Sequence, residues 1–309
     1  MKSPKRSARW RAPHKRRRSM TQRSILAVHT ARPERLGGLE TRNPLSEPIR
    51  SFDPFLILGH HGPQVFGPNN GGMPFDDHPH RGFETVTFIL EGAVVHTDSS
   101  GHRRVVNKGG VQWMTAGAGV VHNEQVTPAF LKEGGLLEVI QLWINLPARL
   151  KTAPPTYVGV QANAIVSCPL EGESGMLHLV SGRYGEATGP IQSLTHVFMS
   201  WVDLTAGARV RLPAPSGRTI LLYVIRGDVR IAGRTATGGD LVKFADDGDA
   251  IDMATSSDAA LLFAHADPID EPVAARGPFV MNTEEEVAQA FRDYRAGAFR
   301  STMNAAEIK

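Results

Sequence analysis

The stretch HPHRGFETVTFILEG, residues 78–92, and the later stretch QWMTAGAGVVHNE, residues 112–124, decide how this chain is interpreted. Each carries two metal-ligating residue types at positions i and i+2, His78 with His80 and His122 with Glu124. In an extended strand such residues point to the same face, so each pair can direct two ligands into one cavity. The pattern predicts a metal site with three imidazoles and one carboxylate, a set that suits Fe, Mn, Ni, Cu or Zn.

Short runs of β-branched and aromatic residues, broken by Gly, Pro, Asn and Asp, surround both motifs. Many short strands at this spacing predict an all-β sandwich or barrel. The candidate strands are 55–58, 84–90, 93–97, 111–115 and 136–145 in a first block, and 177–180, 196–203, 209–212, 219–225, 228–231, 241–244 and 260–265 in a second block.

The two blocks repeat each other when they are aligned by their glycines. Gly72 is followed by five residues, then His78-Pro79-His80 and a strand; Gly207 is followed by five residues, then Pro213-Ala214-Pro215 and a strand. The proline pair stands where the first block has its histidine pair. We therefore expect two related β domains, of which only the first binds metal.

Composition shifts suggest the domain boundaries. We expect a disordered basic arm over residues 1–21, a first domain over 22–146, a proline-rich linker over 147–160 and a second domain over 161–309. The second domain should end in a helix over 283–296. Thr283 and Glu286 form a capping box at its start, and Gly297 is placed to end it.

The basic arm hides an acidic body. Residues 1–19 hold nine of the 34 Lys and Arg residues and no acid, which leaves 25 basic against 31 acidic groups, a net of −6. This balance argues against direct nucleic-acid binding by the folded body. The arm itself allows a nucleic-acid or nuclear-import patch, an Arg-rich transit peptide, or the interpretation that we favour, an upstream start before a natural N-terminus at Met20.

Other features bound the protein class. No run approaches the ~18 consecutive apolar residues of a membrane span. Cys168 is the single cysteine, so an intrachain disulfide is excluded and a reducing compartment is indicated. We expect a cytoplasmic monomer.

The motifs closely resemble the pirin family of bicupins. The likeness extends to SFDPF at residues 51–55 and GPFVMNT at residues 277–283, and covers roughly residues 22–300. It implies two tandem β-jelly-roll (cupin) barrels packed face to face, with one non-haem metal in the N-terminal barrel and none in the other. The family ligands fall on His78, His80, His122 and Glu124, whereas Glu84 matches a position that is not a ligand in pirins.

The resemblance also implies a function. Some pirins are quercetin 2,3-dioxygenases, which implies a flavonol substrate, O2, and one divalent metal, with Fe²⁺ first and Mn, Ni, Cu, Co or Zn as alternatives. Glu124 would be both a ligand and the catalytic base that takes the proton of the substrate 3-hydroxyl. Other pirins act through protein partners, so a regulatory protein without turnover, a transcriptional cofactor or a modulator of a metabolic enzyme, remains the alternative. A purely structural metal is the third.

The remaining histidines are expected to be mostly structural. A histidine in a β protein is more often hydrogen-bonded within the fold than bound to metal. This applies to His60, His61, His102, His178, His196 and His265. His96 follows the first motif on a strand and is the one that could line the same cavity.

Overall fold

The computed structural model describes residues 20–45 and 52–299, so most of the basic arm and the last residues of the chain lie outside the described part. The strands up to residue 160 are β1 (Ile25–Thr30), β2 (Pro33–Leu36), β3 (Leu39–Leu45), β4 (Phe55–Phe66), β5 (His78–His80), β6 (Phe83–Glu91), β7 (Ala93–Asp98), β8 (Arg103–Asn107), β9 (Val111–Thr115), β10 (Val120–Gln125), β11 (Gly135–Asn145) and β12 (Thr156–Val160). A short helix, α1 (Pro128–Glu133), precedes β11.

The later strands are β13 (Val166–Pro169), β14 (Gly175–Ser181), β15 (Arg183–Tyr184), β16 (Ala187–Thr188), β17 (Phe198–Leu204), β18 (Arg209–Pro213), β19 (Thr219–Arg226), β20 (Asp228–Ile231), β21 (Arg234–Thr237), β22 (Asp240–Phe244), β23 (Ala250–Ala254), β24 (Ala259–Ala266), β25 (Ala274–Arg276) and β26 (Phe279–Met281). The helix α2 (Glu284–Arg295) follows them. Among the described residues, no helix has the length and apolar character needed to cross a membrane.

The structure has two halves, each built from a seven-stranded and a four-stranded antiparallel sheet. In the first half the strand orders are β12-β9-β6-β11-β4-β3-β2 and β5-β10-β7-β8. In the second they are β1-β22-β19-β24-β17-β14-β13 and β18-β23-β20-β21. The two halves match position for position, and β18, which ends at Pro213, occupies the place of β5. These are the two expected β-jelly-roll cupin barrels, and the topology explains the repeat seen in the sequence.

The barrels exchange their edge strands. β1 precedes the first barrel in the chain but pairs with β22 of the second, with Val28 opposite Val242. β12 lies within the expected linker and pairs with β9 of the first barrel. Thr21, expected to end a disordered arm, donates its backbone N–H to Asp249 at 2.6 Å. The expected first domain, residues 22–146, therefore contains one strand of the second barrel, β1, and lacks one strand of the first barrel, β12.

The two seven-stranded sheets pack face to face over one shared apolar core. It contains Val86 and Ile140 from the first barrel and Leu221 and Leu262 from the second, all essentially inaccessible to solvent. Separate apolar clusters fill the interior of each barrel. Central strands of the seven-stranded sheets, such as β19 and β24, are therefore covered on both faces, and their sequences are nearly continuous apolar runs.

Most candidate strands are present with shifted ends, and the differences have local causes. β4 continues to Phe66, well beyond the expected end at residue 58. Gly62 and Pro63 resemble a turn in the sequence, but pairing with β11 on one side and β3 on the other keeps the chain extended. Gly62 has φ +85° beside an irregularity in register opposite residues 137–139, which is typical of a β-bulge.

The C-terminal helix is confirmed. α2 begins after Thr283, whose hydroxyl accepts from the backbone N–H of Glu286, while the Glu286 side chain caps the N-terminal backbone in return. Its buried residues, Val287 and Ala290, pack in an apolar cluster with Phe279. The helix thus docks on its own chain.

Candidate metal centre

Two adjacent strands bring three of the four expected ligands together inside the first barrel. β5 pairs with β10 so that His78 lies opposite His122 and His80 lies opposite Val120. The ring centroids are 4.4 Å apart for His78 and His122, 4.8 Å for His78 and His80, and 5.0 Å for His80 and His122. One nitrogen of each ring lies within 4.8 Å of the others, a spacing that one metal ion can bridge.

Burial keeps the inner imidazoles neutral. His80 and His122 are 2% and 1% exposed. Burial lowers the pKa of His80 to about 3, helped by the nearby His78, and holds the pKa of His122 well below its ordinary value. A neutral imidazole offers the lone pair that a metal needs, so the chain maintains these ligands in the binding form at neutral pH.

Backbone carbonyls orient two of the rings. His78 Nδ1 donates to the carbonyl of Asp76 at 2.6 Å, and His80 Nδ1 faces the carbonyl of Pro278 at 3.4 Å. In that tautomer each Nε2 carries a lone pair. Neither nitrogen of His122 has a hydrogen-bond partner within the part of the chain described, although the ring is buried. Buried nitrogens without partners fit a metal bound among these rings.

Glu124 lies beside the cluster but is not among the converging ligand atoms. It is 4% exposed and shares the inward face of β10 with His122. Its Oε1 accepts from the Gln112 side-chain amide and from Thr87 Oγ1 at 3.1 Å, and its Oε2 accepts from Gln141 Nε2 at 2.6 Å. These donors orient the carboxylate and keep its charge compensated inside the barrel.

These amide donors are not recognisable as a set in the sequence. Gln112 also accepts from Tyr157 OH at 3.0 Å, and Gln141 accepts from Trp143 Nε1 at 3.0 Å. The available signal was a buried or half-buried amide side chain among the apolar residues of β9 and of β11. Their common function could not be recognised before the strand order placed β9, β6 and β11 side by side.

Glu84 lies away from the cluster for a simple geometric reason. Thr87 points into the first barrel, where it contacts Glu124, and Glu84 lies on the opposite face of β6. That face also carries Val86 and packs toward the second barrel. Its Oε1 accepts from Thr115 Oγ1 at 2.7 Å, and burial raises its pKa to about 7. Its carboxylate is therefore directed away from the three histidines.

The other histidines take different positions. His60 joins the two barrels, because its Nδ1 lies 2.7 Å from Tyr223 OH and its Nε2 lies 3.0 Å from Glu138. His178 contacts Asp203 at 3.1 Å on the second barrel. His96 is different, because it lies inside the first barrel with its ring centroid 5.3 Å from that of His122.

Comparison with known proteins places the chain in a family. A model of the family Pirin matches residues 38–144, and a model of the pirin C-terminal cupin domain matches residues 199–300. The chain belongs to the pirin family. A pirin-like protein from Caulobacter vibrioides is 37% identical over 286 residues, which are 91% of this chain and 100% of that protein.

Two solved structures share the architecture. The crystal structure of a quercetin 2,3-dioxygenase from Acinetobacter baumannii superposes with a TM-score of 0.86 at 33% identity, over 92% of this pirin and 100% of that chain. A bacterial pirin from Escherichia coli, in complex with nickel(II), superposes with a TM-score of 0.62 at 22% identity, over 78% of this chain and 99% of that one. The second likeness concerns the fold alone.

Proposed function

We propose that this pirin binds one divalent transition metal through His78, His80, His122 and Glu124 and uses it with O2 to cleave flavonols such as quercetin. The observation that carries the proposal is the convergence of three buried or half-buried imidazoles beside an oriented carboxylate inside the first barrel. The likeness to a protein named quercetin 2,3-dioxygenase supports the substrate class. Fe²⁺ is the first candidate metal, and the nickel in the Escherichia coli pirin keeps Ni²⁺ as an alternative.

When bound, the metal supplies Lewis acidity and the electronic partner that O2 chemistry requires. The protein contributes the rest. Glu124 takes the proton of the flavonol 3-hydroxyl, while hydrogen bonds from Gln112 and Gln141 orient its carboxylate. Trp143 packs its indole 5.0 Å from the His80 ring and, stacked on Phe83 at 4.3 Å, forms an apolar wall that limits access of water.

Elemental analysis of the purified protein, followed by an aerobic assay of the metal-loaded form with quercetin, tests the proposal. We expect the long-wavelength absorption band of the flavonol to disappear with release of CO. His80→Ala should lose both bound metal and turnover, because it removes a ligand, whereas His178→Ala, a histidine on the other barrel, should keep both.

Persistence of the flavonol band with the metal-loaded wild-type protein in aerated buffer would exclude the dioxygenase. If the purified protein nevertheless holds one metal ion per chain, that result favours the alternative function, a regulatory binding protein without turnover. Co-purification of a partner protein would then support that alternative.

A further inference from the structure

His96 lies on the inner face of the first barrel, next to the candidate ligands. β7 pairs with β10 so that His96 lies opposite Glu124 and Asp98 lies opposite His122. Directly opposed residues of an antiparallel pair project to the same side of the sheet. His96 is 1% exposed, and its ring centroid lies 5.3 Å from that of His122. It therefore lies beside the residues of the proposed metal site, on the inner face of the barrel.

Asp98 determines which nitrogen of His96 carries the proton. His96 Nε2 donates to Asp98 Oδ2 at 2.9 Å, and the Asp98 side chain is only 2% exposed. Asp98 Oδ1 accepts from the backbone N–H groups of Ser100 at 2.9 Å and His102 at 3.1 Å. A carboxylate that already accepts from two amides accepts from the imidazole as well, so the proton of the neutral ring lies on Nε2 and the lone pair on Nδ1.

The lone pair on Nδ1 has no partner. His96 stacks on Tyr157 with centroids 3.9 Å apart and an angle of 11° between the planes, which fixes the plane of the ring, while the bond to Asp98 fixes its orientation within that plane. Nδ1 is buried and makes no hydrogen bond to any residue of the described chain. A buried acceptor that is held in place and left unused, beside a reaction site, is suited to accept from a ligand.

We propose that His96 is a specificity-determining residue, whose Nδ1 accepts a hydrogen bond from a phenolic hydroxyl of the flavonol other than the 3-hydroxyl. This inference rests on the proposed dioxygenase function. The protein then prefers polyhydroxylated flavonols to flavonols that carry the 3-hydroxyl alone. A site built to accept from a substrate hydroxyl discriminates against the analogue that lacks it, because the buried acceptor is then left unpaired.

The test compares quercetin with 3-hydroxyflavone in the wild type and in His96→Phe. Phenylalanine keeps a planar ring against Tyr157 and removes the acceptor. Two quantities are measured: kcat/KM in aerated buffer, and the dissociation constant of each flavonol for the metal-loaded protein without O2. The wild type should prefer quercetin by on the order of tenfold, the effect of one hydrogen bond, and His96→Phe should lose that preference in both measurements.

Two further variants separate the acceptor from general packing. In Asp98→Asn the side-chain oxygen of the asparagine keeps accepting from the backbone N–H groups of Ser100 and His102, so its NH2 group faces His96 Nε2. Nε2 then has to accept a hydrogen bond, and the ring proton moves to Nδ1. The preference for quercetin should therefore fall as in His96→Phe. His102→Phe removes another imidazole that contacts Asp98, at 2.9 Å, but it is 41% exposed. This control should keep the preference.

The outcomes distinguish the inference from the function on which it rests. Absence of flavonol binding and turnover in the wild type overturns both. Turnover with an unchanged preference in His96→Phe overturns the inference alone. Loss of bound metal in His96→Phe, measured by elemental analysis, would also overturn it, because His96 would then be a metal ligand.

Discussion

Burial controls the protonation of histidines well beyond the metal centre. His265 on β24 stacks on Phe198 with centroids 4.6 Å apart and planes within 3°. Burial, reinforced by the positive charges of Arg218 and Arg23, lowers its pKa to about 3. In the same way, burial and the neighbouring His60 lower the pKa of His61 to about 4. Both rings are therefore neutral in the folded protein at pH values where the unfolded chain is protonated.

This difference predicts acid sensitivity. The unfolded state binds a proton at His265 below its ordinary pKa of 6.5, whereas the folded state does so only near pH 3, so the free energy of unfolding falls as the pH decreases through that window. Each such histidine contributes up to about 1.4 kcal/mol per pH unit. His265→Phe should reduce the slope by about one proton. Urea unfolding of both proteins at several pH values measures it, and equal slopes would contradict the assignment.

Arg23, which precedes β1, is bound to the second barrel. Arg23 is 1% exposed. Its Nε donates to the carbonyl of Ala214 and its Nη1 donates to the carbonyl of Ala245, both at 3.0 Å. Its Nη2 donates to the Asp246 carboxylate at 2.8 Å. These bonds attach the start of β1 to the second barrel. A planar guanidinium reaches several acceptors at once, which no other side chain reproduces.

We predict that Arg23→Met lowers the free energy of unfolding by about 3 kcal/mol, because buried carbonyl acceptors lose their donor. Amide exchange should also rise in β1. Arg35→Met is the matched control, since that side chain is 74% exposed, and its effect should stay within about 0.5 kcal/mol. Urea unfolding and hydrogen exchange provide the measurements. Equal stability of the two variants would show that β1 is held by its strand pairing alone.

At the scale of the whole molecule, the two barrels share one core and should not behave independently. Leu221 and Leu222 are neighbours on β19 and both are 0% exposed. Leu221 faces the core between the barrels, whereas Leu222 faces the interior of the second barrel. Substitutions of these two leucines therefore distinguish an effect transmitted between the barrels from an effect within the second barrel alone.

Replacing either leucine by alanine should destabilise the protein by about 2–5 kcal/mol. Leu221→Ala should also increase amide exchange in β6 and β11 of the first barrel, because those strands line the shared core. Leu222→Ala should act mainly on β17, β19 and β24. Hydrogen exchange resolved by segment makes the comparison, and identical profiles for the two variants would refute a coupling through the shared core.

Features with a local cause were predictable from the sequence. The ligand pairs at residues 78–80 and 122–124 depend only on the two-residue period of a strand, and the capping box at Thr283 depends on a spacing of three residues. β9 was predicted with its observed bounds, because Val111, Trp113 and Met114 lie between the glycines at residues 109–110 and 117. The repeat of Pro213-Ala214-Pro215 against His78-Pro79-His80 likewise predicted the second barrel from the first.

The sequence by itself determined the all-β architecture, the duplication and the inward direction of the histidine pairs, because these follow from periodicity within short segments. Only the tertiary structure decided that β1 and β12 change barrels, that Pro278 contacts His80, and that Gln112 and Gln141 surround Glu124. These contacts join residues far apart in the chain. They depend on strand order and register. The same short segments are locally compatible with many sheet arrangements, and the packing of the two barrels selects one of them.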